Sequence, residues 1–399
     1  MRICVLTSVY ALSGTDRHAS FLVESHAHLR KRGHEIVVLA PSYEGLKSHQ
    51  VDGVRVERFR YFPAKWENLT HGEGAPNRIR NPFYLMMTAP YILFGLIATL
   101  RLVRREKFDI LHVQWPFPHG IWGAAAKWMT GIPMVCTFHG AEILLAERLR
   151  PVRATLKSIL SRANAVTCNS SFTAARVGRL TDKKISVLPY GATITAGERT
   201  RTIRASGPPR LLFVGRLIQR KGLRYLIQAL ATLEGVMLDV VGEGPEAEPS
   251  KALAHDLGIA DRITFHGFVS NEKLETLLSS TDAFVLPSIV DDRGDTEGLG
   301  VVLIEAMAFG TPVIASAVGG IIDVVESEVS GLLVPEKDPA ALAAAIARLL
   351  SDPAFARALG IAGHKRGLEY FDWSRITDAL ESIYTEVQSA SRARGTKGS

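Results

Sequence analysis

Residues 214–222 read Val-Gly-Arg-Leu-Ile-Gln-Arg-Lys-Gly. An apolar run ends, a glycine follows, and two cations, Arg216 and Lys221, stand five residues apart. Fixed charges beside a glycine-containing loop suit a diphosphate: a guanidinium grips phosphate oxygens as a fork and an ammonium acts as a point charge. A solvated basic turn has the same spelling, and spacing alone does not separate the two. The segment lacks the G-x-x-x-x-G-K-[ST] pattern, so it is not a P-loop.

Residues 295–306 read Asp-Thr-Glu-Gly-Leu-Gly-Val-Val-Leu-Ile-Glu-Ala. Two glycines ahead of an apolar helix present amide donors at its positive end. Glu297 falls in the loop, and Glu305 falls eight residues later, inside the helix. Ala306, Ala308 and Gly310 keep that helix slim. A carboxylate in so apolar a helix needs a partner. A sugar diol is a good one, because one carboxylate accepts two hydroxyl protons. A Glu305 facing solvent on an amphipathic helix is the plain alternative.

Two further strand ends carry candidates. Thr137-Phe138-His139-Gly140 places His139 directly after an apolar run, where a structural histidine is the commoner role. Phe265-His266-Gly267-Phe268 leaves a strand into a glycine turn. Backbone groups at Gly267 suit a base edge, and Phe268 suits either a base pocket or the core.

These residues need elements to position them. Short apolar runs at Ile3–Thr7, Ile36–Ala40, Val54–Arg58, Ile110–Val113, Met134–Phe138 and Ala165–Cys168 alternate with helical periodicity. The pattern restarts with Leu211–Val214, Met237–Val241, Ile263–Phe265, Ala283–Leu286 and Val313–Ala315. Strands spaced by helices predict parallel sheets with crossover helices. The expected organisation is two doubly wound α/β domains, 1–195 and 205–370, with a linker at 196–204. A terminal helix at 371–389 is expected to pack back on the first half, ahead of a flexible tail at 390–399. Open parallel sheets bind ligands outside the carboxyl ends of their strands, so two such sheets predict a cleft between the domains.

The chain of 399 residues has a globular composition, with 47% hydrophobic and 22% charged residues. Cys4, Cys136 and Cys168 lie far apart without a C-x-x-C pair, which argues against a disulfide scaffold or cysteine zinc site. Residues 1–190 hold 26 Lys and Arg against 13 Asp and Glu, a net of +13; the remainder hold 21 against 27, a net of −6. A basic half can meet nucleic acid, an anionic membrane or a phosphorylated substrate. No zinc-finger or RNP-like pattern is present, so nucleic acid is not expected. The first residues turn polar too soon for a signal peptide. Phe83 to Leu100 carries no charge, is interrupted by Pro90 and Gly95, and is flanked by Arg78 and Arg80 before it and by Arg101, Arg104, Arg105 and Lys107 after it. Such a stretch reads as a buried or membrane-surface helix rather than a span.

In combination, Gly215-Arg216-Leu217 with Lys221-Gly222, the Glu297/Glu305 pair and Phe138-His139-Gly140 resemble a retaining glycosyltransferase of family 4. The resemblance runs from the first strand to Phe371-Asp372-Trp373. Arg32-Gly33-His34-Glu35 and the apolar 83–100 stretch with its basic flanks are similar to bacterial exopolysaccharide and cell-surface glycan members. The resemblance implies a GT-B fold, two Rossmann-like domains facing across a cleft. The first would bind the acceptor and the second a nucleotide-sugar donor.

It also implies roles. Arg216 and Lys221 would hold the donor diphosphate and stabilise the leaving group. Glu305 would bind the ribose, Glu297 the donor sugar, and the backbone at Gly298, Leu299, Gly300 and Val301 would lie near sugar and phosphate. His139 would lie close to the transferred sugar. The leaving phosphate would help deprotonate the acceptor, so no protein nucleophile, no cofactor and no metal are expected. The donor would be a UDP-sugar or GDP-sugar, the transferred unit a hexose, and the acceptor a glycan or lipid-linked glycan. The expected setting is cytoplasmic, with peripheral contact on an anionic membrane through residues 78–107. Many family members carry a Gly-Gly pair after the first strand, whereas here the Ser8–Asp16 loop has Gly14 alone. The competing readings are a non-enzymatic nucleotide-sugar or membrane-binding component and another GT-B enzyme, a phosphorylase or a sugar-nucleotide epimerase.

Overall fold

A computed structural model describes residues 1–14, 16, 19–71, 78–79, 81–194 and 207–395. The expected linker at 196–204 lies outside the described residues, as does 396–399 of the expected tail. The chain divides into two compact units. One is Met1–Pro189 together with the chain from Trp373 onward, and the other is Tyr190–Asp372.

The first unit holds β1 (Arg2–Leu6), β2 (Glu35–Pro41), β3 (His49–Val51), β4 (Val54–Phe59), β5 (Ile110–Gln114), β6 (Met134–Phe138), β7 (Ala165–Cys168) and β8 (Ile185–Val187). They form one sheet in the order β3-β4-β2-β1-β5-β6-β7-β8, parallel except for the β3–β4 pair. Parallel strands are covered on both faces, so β1, β2, β6 and β7 are largely apolar, while β4 alternates Arg55 and Glu57 with apolar residues and β5 carries buried His112 and Gln114. Alternation then sends successive residues to opposite cores. Cys4, Leu6, Val37 and Leu39 enter one cluster, while Ile3, Val5, Ile36 and Val38 enter the other.

The Thr88–Arg105 helix closes the first of these faces through Tyr91, Leu102 and Val103. Neither Pro90 nor Gly95 interrupts it, contrary to the expectation. Pro90 sits in its first turn, where an amide has no intrahelical partner to lose. Gly95 lets the fully buried Trp122 lie against the helix backbone: a Cβ there would stand 2.2 Å from Trp122 Cζ2. The opposite flank exposes Leu93 and Phe94, and the short Pro82–Met86 helix before it exposes Leu85 and Met86. By length and apolarity alone Pro82–Arg105 could cross a membrane; in the fold its Tyr91–Val103 side belongs to the core.

The second face is closed by the last helix, Trp373–Gly395, through Leu380, Tyr384 and Val387. Arg32 is ion-paired with Asp378 and Glu381, His34 Nε2 lies 2.5 Å from Glu381, and Gln388 donates to Asp109 over 2.8 Å. This helix starts at Trp373 rather than 371, because Phe371 is buried in the second unit's core. It continues past 389, where Ala390, Arg392 and Ala393 favour helix. Likewise Tyr190 to Ile194 pack on the second core, so the first unit ends before 195.

The second unit holds β9 (Arg210–Val214), β10 (Met237–Val241), β11 (Ile263–Gly267), β12 (Ala283–Leu286), β13 (Val313–Ser316) and β14 (Leu332–Val334). The sheet is parallel throughout, ordered β11-β10-β9-β12-β13-β14. Counted within the unit this is the doubly wound order 3-2-1-4-5-6, whose direction reverses between β9 and β12. The strands β4-β2-β1-β5-β6-β7 of the first unit repeat that order.

Gly95→Ala is expected to cost about 1–3 kcal/mol by overpacking against Trp122. The urea midpoint of unfolding measures it.

Candidate functional site

The start of the loop after β9 is knitted to its neighbours through backbone hydrogen bonds. Gly215 N–H donates to Val241 O at 3.0 Å, Leu217 N–H to Glu243 O at 2.9 Å, and Gly242 N–H to Gly267 O at 2.9 Å. A Cβ on Gly242 would lie 2.0 Å from Gly215 O, so only glycine permits this approach. The anchored loop leaves Arg216 exposed at its crest. It then turns through Gln219–Lys221 and buries Lys221. Gly222, at φ +68°, follows; a Cβ there would stand 1.8 Å from Pro287 O, in the segment after β12. Ile289 N–H donates to Arg220 O at 2.8 Å. The loops leaving β9 and β12 are therefore locked together where the strand order reverses.

Lys221 Nζ donates to Glu297 Oε2 in this junction. Arg220 braces the same loop. Its guanidinium donates to Thr296 O at 3.0 Å and lies 3.5 Å from Asp295 and 4.0 Å from Glu297. Burial pushes the Glu297 carboxyl up, but the charges of Lys221 and Arg220 and hydrogen bonds from Lys221 and the Gly300 amide outweigh it. The net shift is downward, and Glu297 stays ionised. Asp295, with burial dominant over Arg220, is shifted upward. Asp291, Asp292 and Asp295 are tied into the loop: Asp291 accepts from the Arg293 and Asp295 amides, Asp292 from Gln219, and Asp295 faces Arg220.

Gly298 and Leu299 lead to Gly300, at φ +93°, and to the Val301–Ala308 helix. The Gly319-Gly320 turn after β13 lies directly under this stretch. Gly320 N–H donates to Glu297 O at 2.9 Å, and Cβ atoms on Gly319 and Gly320 would stand 2.1 Å from Glu297 O and Gly298 O. Glu305 is buried on the helix, not solvent-facing, and its Oε1 accepts from the Thr193 hydroxyl. Gly267 and Phe268 stand two strands away from β9, at the sheet edge. Phe268 is 78% exposed, which removes the core alternative.

His139 stands at the corresponding edge of the first unit, just after β6. Its N–H donates to Glu142 Oε1 at 2.8 Å. Its Nε2 donates to Gln114 Oε1 at 2.8 Å, which sets the Nε2–H tautomer. The ring lies 4.1 Å from Trp115 and 5.6 Å from Phe21, between centroids. Burial, with nearby His112 second, pushes the imidazole down to about 3, so His139 is neutral at pH 7. Burial pushes Glu142 up to about 7.

The structure thus brings Lys221 and Glu297 together, keeps Arg216 on the same loop, and puts Glu305 on the helix that follows Glu297. Arg220, Thr193, Gln114 and Glu142 were not singled out from sequence. Glu142 had a readable signal, an acid three residues after a strand-end histidine. Thr193 had none, because its contact spans 112 residues.

Two doubly wound α/β units with polar residues at their strand ends fit the GT-B fold of the solved structures that superpose on the chain. Residues 19–195 match the family model described as Glycosyltransferase Family 4, and residues 198–366 match Glycosyl transferases group 1. The D-inositol 3-phosphate glycosyltransferase of Xylanimonas cellulosilytica is 30% identical over 72% of this chain and 74% of its own. The GDP-mannose-dependent alpha-(1-6)-phosphatidylinositol monomannoside mannosyltransferase of Mycobacterium tuberculosis is 28% identical over 88% of this chain and 89% of its own. Sucrose-phosphate synthase from Thermosynechococcus elongatus, 24% identical, superposes with a TM-score of 0.79 over 98% of this chain and 99% of that one. The chain belongs to the family 4 glycosyltransferases and is an enzyme. That membership sets aside the non-enzymatic binding component.

Lys221→Ala leaves the part-buried Glu297 with Arg220, 4.0 Å away, as its remaining counter-charge and is expected to cost up to about 3 kcal/mol. A Lys221→Met/Glu297→Met double variant should recover most of that stability but not activity; urea unfolding and transferase assays separate the two. A second expectation concerns pH. Burial holds His26, His112 and His119 down to about 3, 3 and 4, against 6.5 when unfolded. Below pH 6.5 the unfolded chain binds protons that the folded chain does not, so stability falls by up to about 1.4 kcal/mol per pH unit for each histidine. Glu142, raised in the fold, opposes this between about pH 7 and 4.5, its two titration points. The thermal midpoint should therefore decline from pH 7 to 5, and decline more steeply in Glu142→Gln.

Proposed function

We propose that the enzyme transfers a hexose from a UDP- or GDP-sugar, with retention, to a glycan or lipid-linked glycan in cell-surface polysaccharide or glycolipid synthesis. The observation that carries this reading is the buried Lys221–Glu297 pair beside exposed Arg216 at the switch point of the second sheet. In the reaction, the bond from the anomeric carbon to the diphosphate oxygen breaks and a bond to the acceptor oxygen forms on the same face. The acceptor proton passes to an oxygen of the leaving phosphate. Arg216 and Lys221 meet the charge that develops on the diphosphate, which is the main catalytic term. Glu297 is ionised, which suits accepting hydrogen bonds from sugar hydroxyls, and Glu305 suits a ribose diol. His139, neutral at pH 7, meets the sugar without a charge. Phe268 and the Gly267 backbone suit the base. The reading needs no metal, because cations already supply the charge.

The mycobacterial relative's name specifies GDP-mannose, which makes GDP-mannose the first donor to test. Exposed Leu85, Met86, Leu93 and Phe94 beside exposed Arg101 and Arg104 support peripheral contact with an anionic membrane on its cytoplasmic face.

Thermal-shift screening of UDP, GDP, UDP-glucose and GDP-mannose should show a raised midpoint for one base. Transfer from the matching sugar should be insensitive to EDTA, and proton NMR should show the product anomer with the donor's configuration. Arg216→Ala and Lys221→Ala should each lower kcat by about 100-fold or more. Unchanged turnover in both variants, or an inverted anomer, overturns the reading. Sedimentation with anionic liposomes at low salt tests the membrane contact separately, and absence of the protein from the pellet removes it.

A further inference from the structure

The first unit has a second cavity, of about 640 Å³, at the opposite end of its sheet from His139. Its wall runs along Asn164 and Ala165, where β7 begins, and Lys184, which precedes β8. Strands in this part of the sheet are parallel, so the cavity lies at their amino ends and His139 lies at a carboxyl end. The two sites are distinct.

Three features of the cavity point to a ligand. Trp128, on the Pro116–Thr130 helix, is 90% exposed, the most exposed large hydrophobic side chain described. A tryptophan left in water forfeits about 2 kcal/mol or more of burial, and such residues concentrate at binding surfaces. The second feature is charge. Lys127, Arg162, Lys183 and Lys184 line the cavity against Glu386 as the single acid. The third is pre-organisation. Lys127 Nζ is held by Arg162 O at 2.6 Å and Asn164 Oδ1 at 2.5 Å, and Lys183 Nζ by Ser161 O at 3.0 Å and by Ala163 O. Holding flexible ammonium groups in place beforehand reduces the entropy lost on binding. The floor is apolar, with Ile383, Val387 and Ala390 presented at helical spacing by the last helix.

We infer that this cavity is an exosite for an acidic oligosaccharide, the growing or acceptor glycan, bound away from the reacting end. This rests on the proposed glycan acceptor. The C–H face of a pyranose ring stacks on the exposed indole, while carboxylate or phosphate groups on the sugars meet the four cations. An open cavity with one aromatic wall suits a chain of sugar rings passing over it better than a nucleotide base, which gains from rings on both faces. The volume lies within the usual range for a small-molecule site. An exosite of this kind would hold a long acceptor while its end is extended.

Isothermal titration with the full-length enzyme tests this. The probe is the hexamer of 1,4-linked α-galacturonate, with maltohexaose as the neutral comparator and UDP as the nucleotide comparator. The hexamer should bind wild type and quench tryptophan fluorescence. Trp128→Ala and Lys184→Glu should each weaken it about tenfold or more, and about 0.5 M salt should do the same. Both positions are exposed, and circular dichroism checks that the variants fold. Donor hydrolysis should be unchanged in both. No binding to wild type, equal binding to Trp128→Ala, or equal binding of maltohexaose overturns the inference. So does UDP binding that Trp128→Ala abolishes. If the hexamer binds as expected while no nucleotide sugar is turned over, the exosite stands and the proposed donor chemistry falls.

Discussion

One ion pair organises the second unit. Lys221 and Glu297 come from loops that leave neighbouring strands, β9 and β12, at the point where the winding of the sheet reverses. Crossovers diverge at such a point and open a crevice. A crevice lined by backbone amides and two buried charges is stable only if the charges meet, because either one alone carries an uncompensated desolvation cost. Much of the local structure serves that meeting. Gly222 gives up a side chain so that the loop can pass Pro287, Arg220 pins the loop from Asp295 to Glu297, and the Gly319-Gly320 turn supports it from below. The pair also helps, with Arg220 and the Gly300 amide, to hold the Glu297 carboxylate ionised against its burial. The interaction that joins the loops is thus the one that sets the charge available for chemistry.

The first unit solves the opposite problem. Beside the buried Arg58 and the Arg60–Glu67 pair, its polar interior holds a set of neutral groups. Tyr384 lies 2.6 Å from His112 Nδ1, His112 Nε2 lies 2.6 Å from Thr137, and Thr137 lies 2.6 Å from Thr167. His119 is held by Tyr91 at 2.9 Å and by two backbone carbonyls, and His26 by Tyr10 at 3.1 Å. Each imidazole has partners for its neutral form and none of opposite charge, so burial drives its proton off. His139 stands at the edge of this interior and is kept neutral by the same burial, with His112 second.

What the sequence made legible follows from how local each signal is. Arg216, Lys221 and Glu297 could be read because their chemistry and their strand-end position occur in one short stretch. The longer strands could be read because parallel strands buried on both faces are largely apolar. Three strands escaped, His49–Val51, Ile185–Val187 and Leu332–Val334. Three residues are too few for an apolar run to stand out from a loop. Thr193 escaped because its partner is remote in the chain, and Arg220 because one more cation between two others carries no signal of direction. Gly319-Gly320 was visible as a pair, but its purpose, close contact with the backbone of Glu297 and Gly298, exists only in three dimensions. The unit borders were displaced by a few residues for the same reason: which core takes Ile194 or Phe371 is a matter of packing.

The placement of the last helix has a consequence for biosynthesis. Leu380, Tyr384 and Val387 complete, with Leu22 and Leu29 of the Ser20–Lys31 helix, the cover of one face of the first unit's sheet, and Tyr384 satisfies a histidine on its central strand. A ribosome therefore delivers the first unit's strands long before it delivers their lid. During the intervening synthesis of the whole second unit, the part of that face around His112 stays open to water and to other chains. Folding of the first half is completed by the final stretch of the polypeptide, and a nascent chain stalled in the second half presents a sticky, half-covered sheet of the kind chaperones hold.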